Sequence, residues 1–367
     1  MTARNDAFFV TGATGLVGGP TLQRLLAEER GAHAFVLVRD PARWRAHATD
    51  RRLDRGRITP LRGDVTEPGL GLGPRVRDVL RARVRVVVHC AADTVFSRPL
   101  EQARAVNAEG TAHVAELAAT WPRLTRFLHV STAFVAGRRV GRIAEGLDDG
   151  SAGFVNHYER SKHEAERIVA ASALPWALVR PGVIACDGPD GRVSRLGAVH
   201  RALRLYHNGL ASMMPGEASN RIDVVSADWV ARCVTSVALA EGVEGGVFHA
   251  CSGERARGLG ALLDDAYAVW SECPEWRRRA IAPPALTDLD TYRLFEDAVR
   301  ETGDARLSAI TRSLSHFVPQ LALPKTFDTA RMESVVGGPP PDPSTFWAAM
   351  IRNLVAVRWA PDARHAA

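Results

Sequence analysis

Residues 11–18 read Thr11-Gly12-Ala13-Thr14-Gly15-Leu16-Val17-Gly18, after an apolar run (Ala7 to Val10) and before a helical pattern (Val17 to Glu29). Glycines spaced three and three between a strand and a helix build a particular turn. Gly12 permits the tight bend, Gly15 lets the backbone approach a diphosphate, and Gly18 lets helix and strand pack closely. The helix start then offers free N–H groups to an anion. Thr11, Thr14, Leu16 and Val17 complete a loop suited to a dinucleotide.

The same alternation continues outward from the loop. Ala34 to Val38, Ile58 to Leu61, Val84 to Cys90, Arg126 to Val130 and Ala177 to Val179 read as strands, with helical patterns at Leu100 to Ala119 and Tyr158 to Ser172. Near-continuous apolar strands spaced by helices predict an α/β fold, a Rossmann-type doubly wound parallel sheet with right-handed crossovers. Ligands in such folds bind at the carboxyl ends of the strands. The rhythm loosens over Asp187 to Gly197 and returns with a helix at Ala227 to Ala240 and a strand at Val247 to Cys251. Beyond Ser252 the pattern is helical and broken by prolines. Gly337 to Pro343, GGPPPDP, reads as a turn before an amphipathic piece, Phe346 to Val355. The expected division is a dinucleotide-binding domain at 1–250, with 184–221 contributing to a substrate pocket. A smaller, mostly helical substrate or cap region follows at 251–367.

Composition narrows the function. Five cysteines in 367 residues, odd in number and with no CxxC pair, argue against a disulfide framework or a zinc site and for a reducing, cytoplasmic interior. Met1 to Asp6 is polar and unlike a signal peptide. The longest apolar runs fall short of the roughly 20 residues of a bilayer span, so no integral membrane segment is expected and any membrane contact is peripheral. Lys and Arg total 47 against 41 Asp and Glu, but they are scattered, which disfavours nucleic acid and suits a small anionic ligand. Only Lys162 and Lys325 of those 47 are lysines. A lysine kept in such a chain marks a position where Arg does not substitute.

The end of the second strand reads Val38-Arg39-Asp40. An acidic residue there accepts from the ribose hydroxyls of NAD, whereas Arg pairs the extra phosphate of NADP. Arg39, with Arg43 one turn on, favours NADPH, and Asp40 keeps NAD as the alternative. Tyr158-Glu159-Arg160-Ser161-Lys162 places one of four tyrosines four residues before a lysine. On a helix the two share a face, and a cation there is expected to lower the phenol pKa and make Tyr158 a general acid. The Arg126 to Val130 strand ends in Ser131-Thr132, hydroxyls able to hold a carbonyl oxygen as it gains charge. Together these residues describe carbonyl reduction, with Lys162 also free to hold a nicotinamide ribose.

The strings TGATGLVGG at Thr11, GDV at Gly63, HCAAD at His89, VSTAFVAG at Val130, YERSK at Tyr158 and RPG at Arg180, with Asn107, resemble the extended short-chain dehydrogenase/reductase family over about residues 7–250. GDVTEPGLGL at Gly63, STAFVAG at Ser131 and NRIDVV at Asn220 look like its branch with a male sterility type NAD-binding domain. That branch holds fatty acyl-CoA reductases and the thioester reductase domains of carboxylic acid reductases and peptide synthetases. The resemblance implies Thr132, Tyr158 and Lys162 as the catalytic set, Thr132 being preferred to Ser131 because it lies five before Gly137. It implies Asp64 and Val65 beside adenine, Ala91 and Ala92 beside the cofactor ribose, and Pro181, Gly182 and Val183 on the nicotinamide side. Asn107 would be structural at the active-site helix. The implied activity is NADPH-dependent reduction of an acyl thioester, on CoA or an acyl carrier protein, to an aldehyde, with further reduction to the alcohol left open. A hydroxysteroid or nucleotide-sugar enzyme on the same scaffold is the alternative. A non-catalytic dinucleotide sensor would lack the Tyr and the Lys.

Overall fold

Seven strands, β1 (Ala7–Thr11), β2 (His33–Val38), β3 (Ile58–Arg62), β4 (Val84–His89), β5 (Arg126–Val130), β6 (Trp176–Pro181) and β7 (Gly246–Ala250), form one sheet. Every pairing is parallel, in the order β7-β6-β5-β4-β1-β2-β3. This is the expected doubly wound arrangement, seen in a computed structural model that describes residues 6–51 and 53–360. Most of the polar N-terminal stretch, Met1 to Asn5, lies outside the described residues.

The strands are apolar on both sides because both faces are covered. In β1, Phe8 and Val10 enter one core with Leu22, Leu25 and Val234, while Ala7 and Phe9 enter a second with Leu80, Val114 and Phe127. Side chains that alternate across a strand thus fill two separate layers. The order reverses between β1 and β4, and the glycine loop and Ala91 meet at that switch point. Buried Arg180, at the end of β6, makes two hydrogen bonds to Glu166, at 2.8 and 2.7 Å, and ties the sheet to the helix carrying Tyr158.

A third core gathers Ala185, Leu203 and Val224 with Leu259, Trp270, Trp347 and Met350. It therefore joins residues from the loosened stretch after β6 to the C-terminal region. Short strands add to the joint: Gly141–Ile143 pairs with Lys325–Phe327, and Met213–Pro215 pairs with Ala285–Thr287. The piece after Pro343 is a helix, Ser344–Ala356, whose Phe346, Trp347, Met350, Ile351 and Leu354 are buried. Among the described residues no helix is long and apolar enough to cross a membrane.

Candidate active site

The glycine loop has the geometry its spacing implies. Gly12 takes φ 69°, and a Cβ there would lie 2.6 Å from the backbone of Cys90 and Ala91. Gly15 N–H closes the turn on Gly12 O at 2.9 Å. A Cβ at Gly18 would collide with the Gly12 carbonyl. The helix that follows, Gly18–Glu28, has neither a capping side chain nor an acidic residue in its first turn. Its positive end is left without a protein side chain to cap it, which fits a dinucleotide diphosphate. Gly18→Val is expected to cost roughly 1–3 kcal/mol of folding free energy through overpacking and to weaken dinucleotide binding at least about tenfold. Calorimetry and fluorescence titration would check it.

A cleft of about 430 Å³ opens beside this loop. Thr11, Gly12, Thr14, Gly15, Arg39, Arg43, Asp64, Val65, Ala91 and Ala92 all line it. Leu16, Val17 and Gly18 sit at the helix start behind it. Gly182 and Val183 line a different space, a small pocket shared with Phe134, Asp223 and Phe317, and Pro181 is buried at the end of β6. Arg98 and Arg195 line the cofactor cleft as well and were not singled out from the sequence. Arg195 comes from the Asp187 to Gly197 stretch, and its only prior signal was a Gly-rich break near a strand end.

Asp40 is turned back on its own chain. Its Oδ1 accepts from Ala42 N–H at 2.8 Å and Arg43 N–H at 3.2 Å, capping the helix Pro41–Asp50. Those backbone donors, Arg43 first, hold its carboxyl below the usual carboxylate range. Among the described residues neither the Arg39 nor the Arg43 guanidinium forms an ion pair, and both are exposed at the cleft.

The sheet edge beyond β5 gathers the proposed catalytic set. Thr132 starts the turn Ala133–Ala136, its Oγ1 accepting from Phe134 N–H at 3.2 Å. Asn156 caps the helix His157–Ala171 and sets Tyr158 in its first turn. The Thr132 hydroxyl lies beside the Tyr158 phenol and favours its ionised form, and the neighbouring Ser131 hydroxyl is buried without a partner. Phe96 packs on the Tyr158 ring at 5.3 Å and on Phe317 at 6.3 Å.

Lys162 lies on the same helix face, but its ammonium is not what tunes the phenol. Nζ donates to Val130 O and to His129 Nε2, both at 2.9 Å. Burial pushes the Tyr158 phenol up to about 12, and the Thr132 hydroxyl beside it only partly offsets that. The expected lowering of its pKa by Lys162 is therefore corrected: the phenol is desolvated and the cation is engaged elsewhere. Burial also brings Lys162 itself down to about 8 and keeps His129 neutral.

Behind these residues a buried chain of hydrogen bonds joins the cofactor loop to the Tyr158 helix. Ala91 N–H donates to Thr11 Oγ1 (3.1 Å), and the Thr11 hydroxyl donates to His89 Nδ1 (2.7 Å). His89 Nε2 then donates to Thr111 (2.9 Å), which donates to Asn107 O (2.6 Å). Asn107 sits in a π turn, Ala105–Glu109, that interrupts the expected helix, and its amide donates to Ser161 Oγ and Asp93 O, both at 2.9 Å. Such turns re-aim side chains at functional sites.

A cleft of about 990 Å³, with no lining residue in common with the one beside the glycine loop, runs between residues 216–221, 286–289 and 322–326. It shares Arg221, Leu323 and Lys325 with the small pocket at Phe134 and Val183. The small pocket reaches the turn after Thr132 through Ala133 and Phe134.

A glycine loop at the switch point of a parallel sheet, together with a Thr, Tyr and Lys at its carboxyl edge, is the frame of an NAD(P)-binding oxidoreductase. The chain belongs to the family whose model, NAD_binding_4, is described as male sterility protein and matches residues 10–234. It is 25% identical over 283 residues to the fatty acyl-CoA reductase wat of Drosophila melanogaster, covering 62% of this chain and 53% of that protein. The chain spans about half the length of the curated relatives it matches first. Among solved structures, the terminal R domain of the myxalamid PKS-NRPS pathway superposes with a TM-score of 0.75 at 22% identity, covering 98% of this chain and 93% of that one. The UDP-glucuronic acid 4-epimerase of Bacillus cereus, solved with NAD, gives 0.65 at 16% identity, covering 96% and 99%. These two structural likenesses speak for the fold.

Proposed function

We propose that the chain reduces an acyl thioester, carried by CoA or by an acyl carrier protein, with NADPH as the hydride source. The observation that carries this reading is the placing of Thr132 and Tyr158 beside each other at the carboxyl edge of the sheet whose switch point holds the glycine-loop cleft. Membership of a family that includes fatty acyl-CoA reductases supports the thioester over other carbonyls.

NADPH, when bound, supplies hydride to the carbonyl carbon of the substrate. Gly12, Gly15 and the uncapped helix start would hold its diphosphate, Arg39 and Arg43 its 2′-phosphate, and Asp64 and Val65 its adenine. Asp40, engaged as a helix cap, leaves the arginines as the groups facing the ribose, which favours NADPH over NADH. Tyr158 and Thr132 would donate hydrogen bonds to the thioester oxygen, and these strengthen as negative charge develops there. A phenol held near 12 stays protonated at working pH, as a proton donor to oxygen must be. Lys162, buried under Val130, would hold the nicotinamide ribose on this edge.

The test is NADPH oxidation by purified protein over a series of acyl-CoA chain lengths and a carrier-bound acyl group, with aldehyde and alcohol measured. Turnover with either product is expected. NADPH binding without turnover on any thioester would reject the substrate class.

A further inference from the structure

Lys325 is one of only two lysines in the chain, and nothing in the reaction scheme above uses it. Its side chain is buried, and Nζ donates to Gly137 O at 2.6 Å and to Gln320 Oε1 at 2.9 Å. The same Gln320 amide donates from Nε2 to Glu159 Oε1 at 2.7 Å. Glu159 is fully buried and also accepts from Val155 N–H (2.8 Å) and Asn156 Nδ2 (2.9 Å). The amine of Lys325 and the carboxyl of Glu159 therefore face each other across one amide, burial bringing the first down to about 8 and pushing the second up to about 7.

What the bridge fastens is the point. Gly137 closes the turn that begins at Thr132, and Glu159 follows Tyr158 in the first turn of its helix. The segment Val318–Lys325 thus grips the Gly137 backbone of one and the Glu159 side chain of the other of the two elements that carry the proposed proton-donating pair. Buried charged groups are weak evidence for stability, so stability alone does not account for these residues. Lys325 also lies in the wall of both the large cleft and the small pocket at Phe134, so the grip and the cleft share a side chain.

We propose that Lys325, acting through Gln320 and Glu159, is a positioning residue that holds Thr132 and Tyr158 in register, so that the C-terminal region completes the proton-donating pair. This rests on Tyr158 being the proton donor.

The experiment compares Lys325→Met, Lys325→Arg, the double variant Glu159→Gln/Lys325→Met, and Tyr158→Phe. The readouts are kcat and KM for a thioester, NADPH affinity by fluorescence, and thermal melting. Lys325→Met is expected to lower kcat at least tenfold with NADPH affinity within twofold and thioester KM within threefold. Lys325→Arg keeps the charge and is expected to recover part of that kcat. The double variant, which leaves no unpaired carboxylate, is expected to lose no more than Lys325→Met. If Lys325→Met fails to melt cooperatively, the double variant decides: a tenfold loss of kcat supports the proposal and a wild-type kcat overturns it. Wild-type kcat in Lys325→Met beside an inactive Tyr158→Phe overturns the positioning role alone. So does a Lys325→Met that loses NADPH affinity as much as kcat. A Tyr158→Phe with wild-type turnover overturns the donor reading and this proposal with it.

Discussion

Tyr158→Phe should lower kcat by roughly 10²- to 10⁴-fold, the range of a positioned general acid, while leaving NADPH affinity within about twofold. The ring would keep its packing on Phe96, and only the hydroxyl that meets Thr132 is lost. The substitution therefore removes an interaction made in the transition state and spares the cofactor cleft, which Tyr158 does not line. Steady-state kinetics and a fluorescence titration separate the two, and retained turnover would reject the role. The pH profile bears on the same assignment. With its phenol near 12, Tyr158 stays protonated through the working range, so it produces no fall in kcat/KM on the alkaline side below about pH 10. Lys162, brought down to about 8 by burial, is charged below that value and neutral above it. A decline in kcat/KM as pH rises through about 8 is then expected from the lysine. A decline that starts near pH 6 would contradict both placements.

These two side chains show where reading a sequence succeeds and where it stops. Four-residue spacing on a helix is a local property, and so is the position of Thr132 at a strand end; the structure brings Thr132 and Tyr158 together accordingly. The environment that sets a pKa is not local. Lys162 turns to His129 and Val130, which lie more than 30 residues away in sequence, and no periodicity reveals that. Likewise the strands announce themselves because both faces of a parallel sheet are covered, so that AFFV and VVV runs have no polar member to hide them. The helices Pro41–Asp50 and Pro74–Arg83 are not legible in the sequence for the opposite reason. They are arginine-rich and mostly exposed, and their only local signals are a proline at the start and, for the first, the Asp40 cap. The Leu100–Ala119 region reads as one helix, yet it holds a π turn at Asn107 that tertiary hydrogen bonds to Asp93 and Ser161 accompany. Lys325 stood out from composition alone, but its partners Gln320, Gly137 and Glu159 are assembled only by the fold.

Arg39→Ala is expected to raise the dissociation constant for NADPH by roughly 10- to 100-fold and to leave that for NADH within about threefold, since a hydrogen bond to a charged group contributes about 1.5–3 kcal/mol. The choice at the end of β2 is narrow. Two side chains there can meet a ribose, Arg39 and Asp40, and both line the cleft. Asp40 already spends Oδ1 on Ala42 and Arg43, and withdrawing it would uncap the helix Pro41–Asp50, at about 1 kcal/mol. Arg39 has no ion pair to give up among the described residues, so a phosphate meets it without competition. Arg43 stands one turn on and keeps some attraction in the variant, which is why the loss is expected to stay below the full cost of removing both cations. Arg195, on a different segment of the same cleft, supplies the contrast. If it meets the part common to both cofactors, Arg195→Ala weakens NADPH and NADH alike, and the two variants together separate the 2′-phosphate from the rest of the dinucleotide. Parallel titrations of both cofactors against each variant decide it, and equal effects of Arg39→Ala on NADPH and NADH would remove Arg39 from the phosphate.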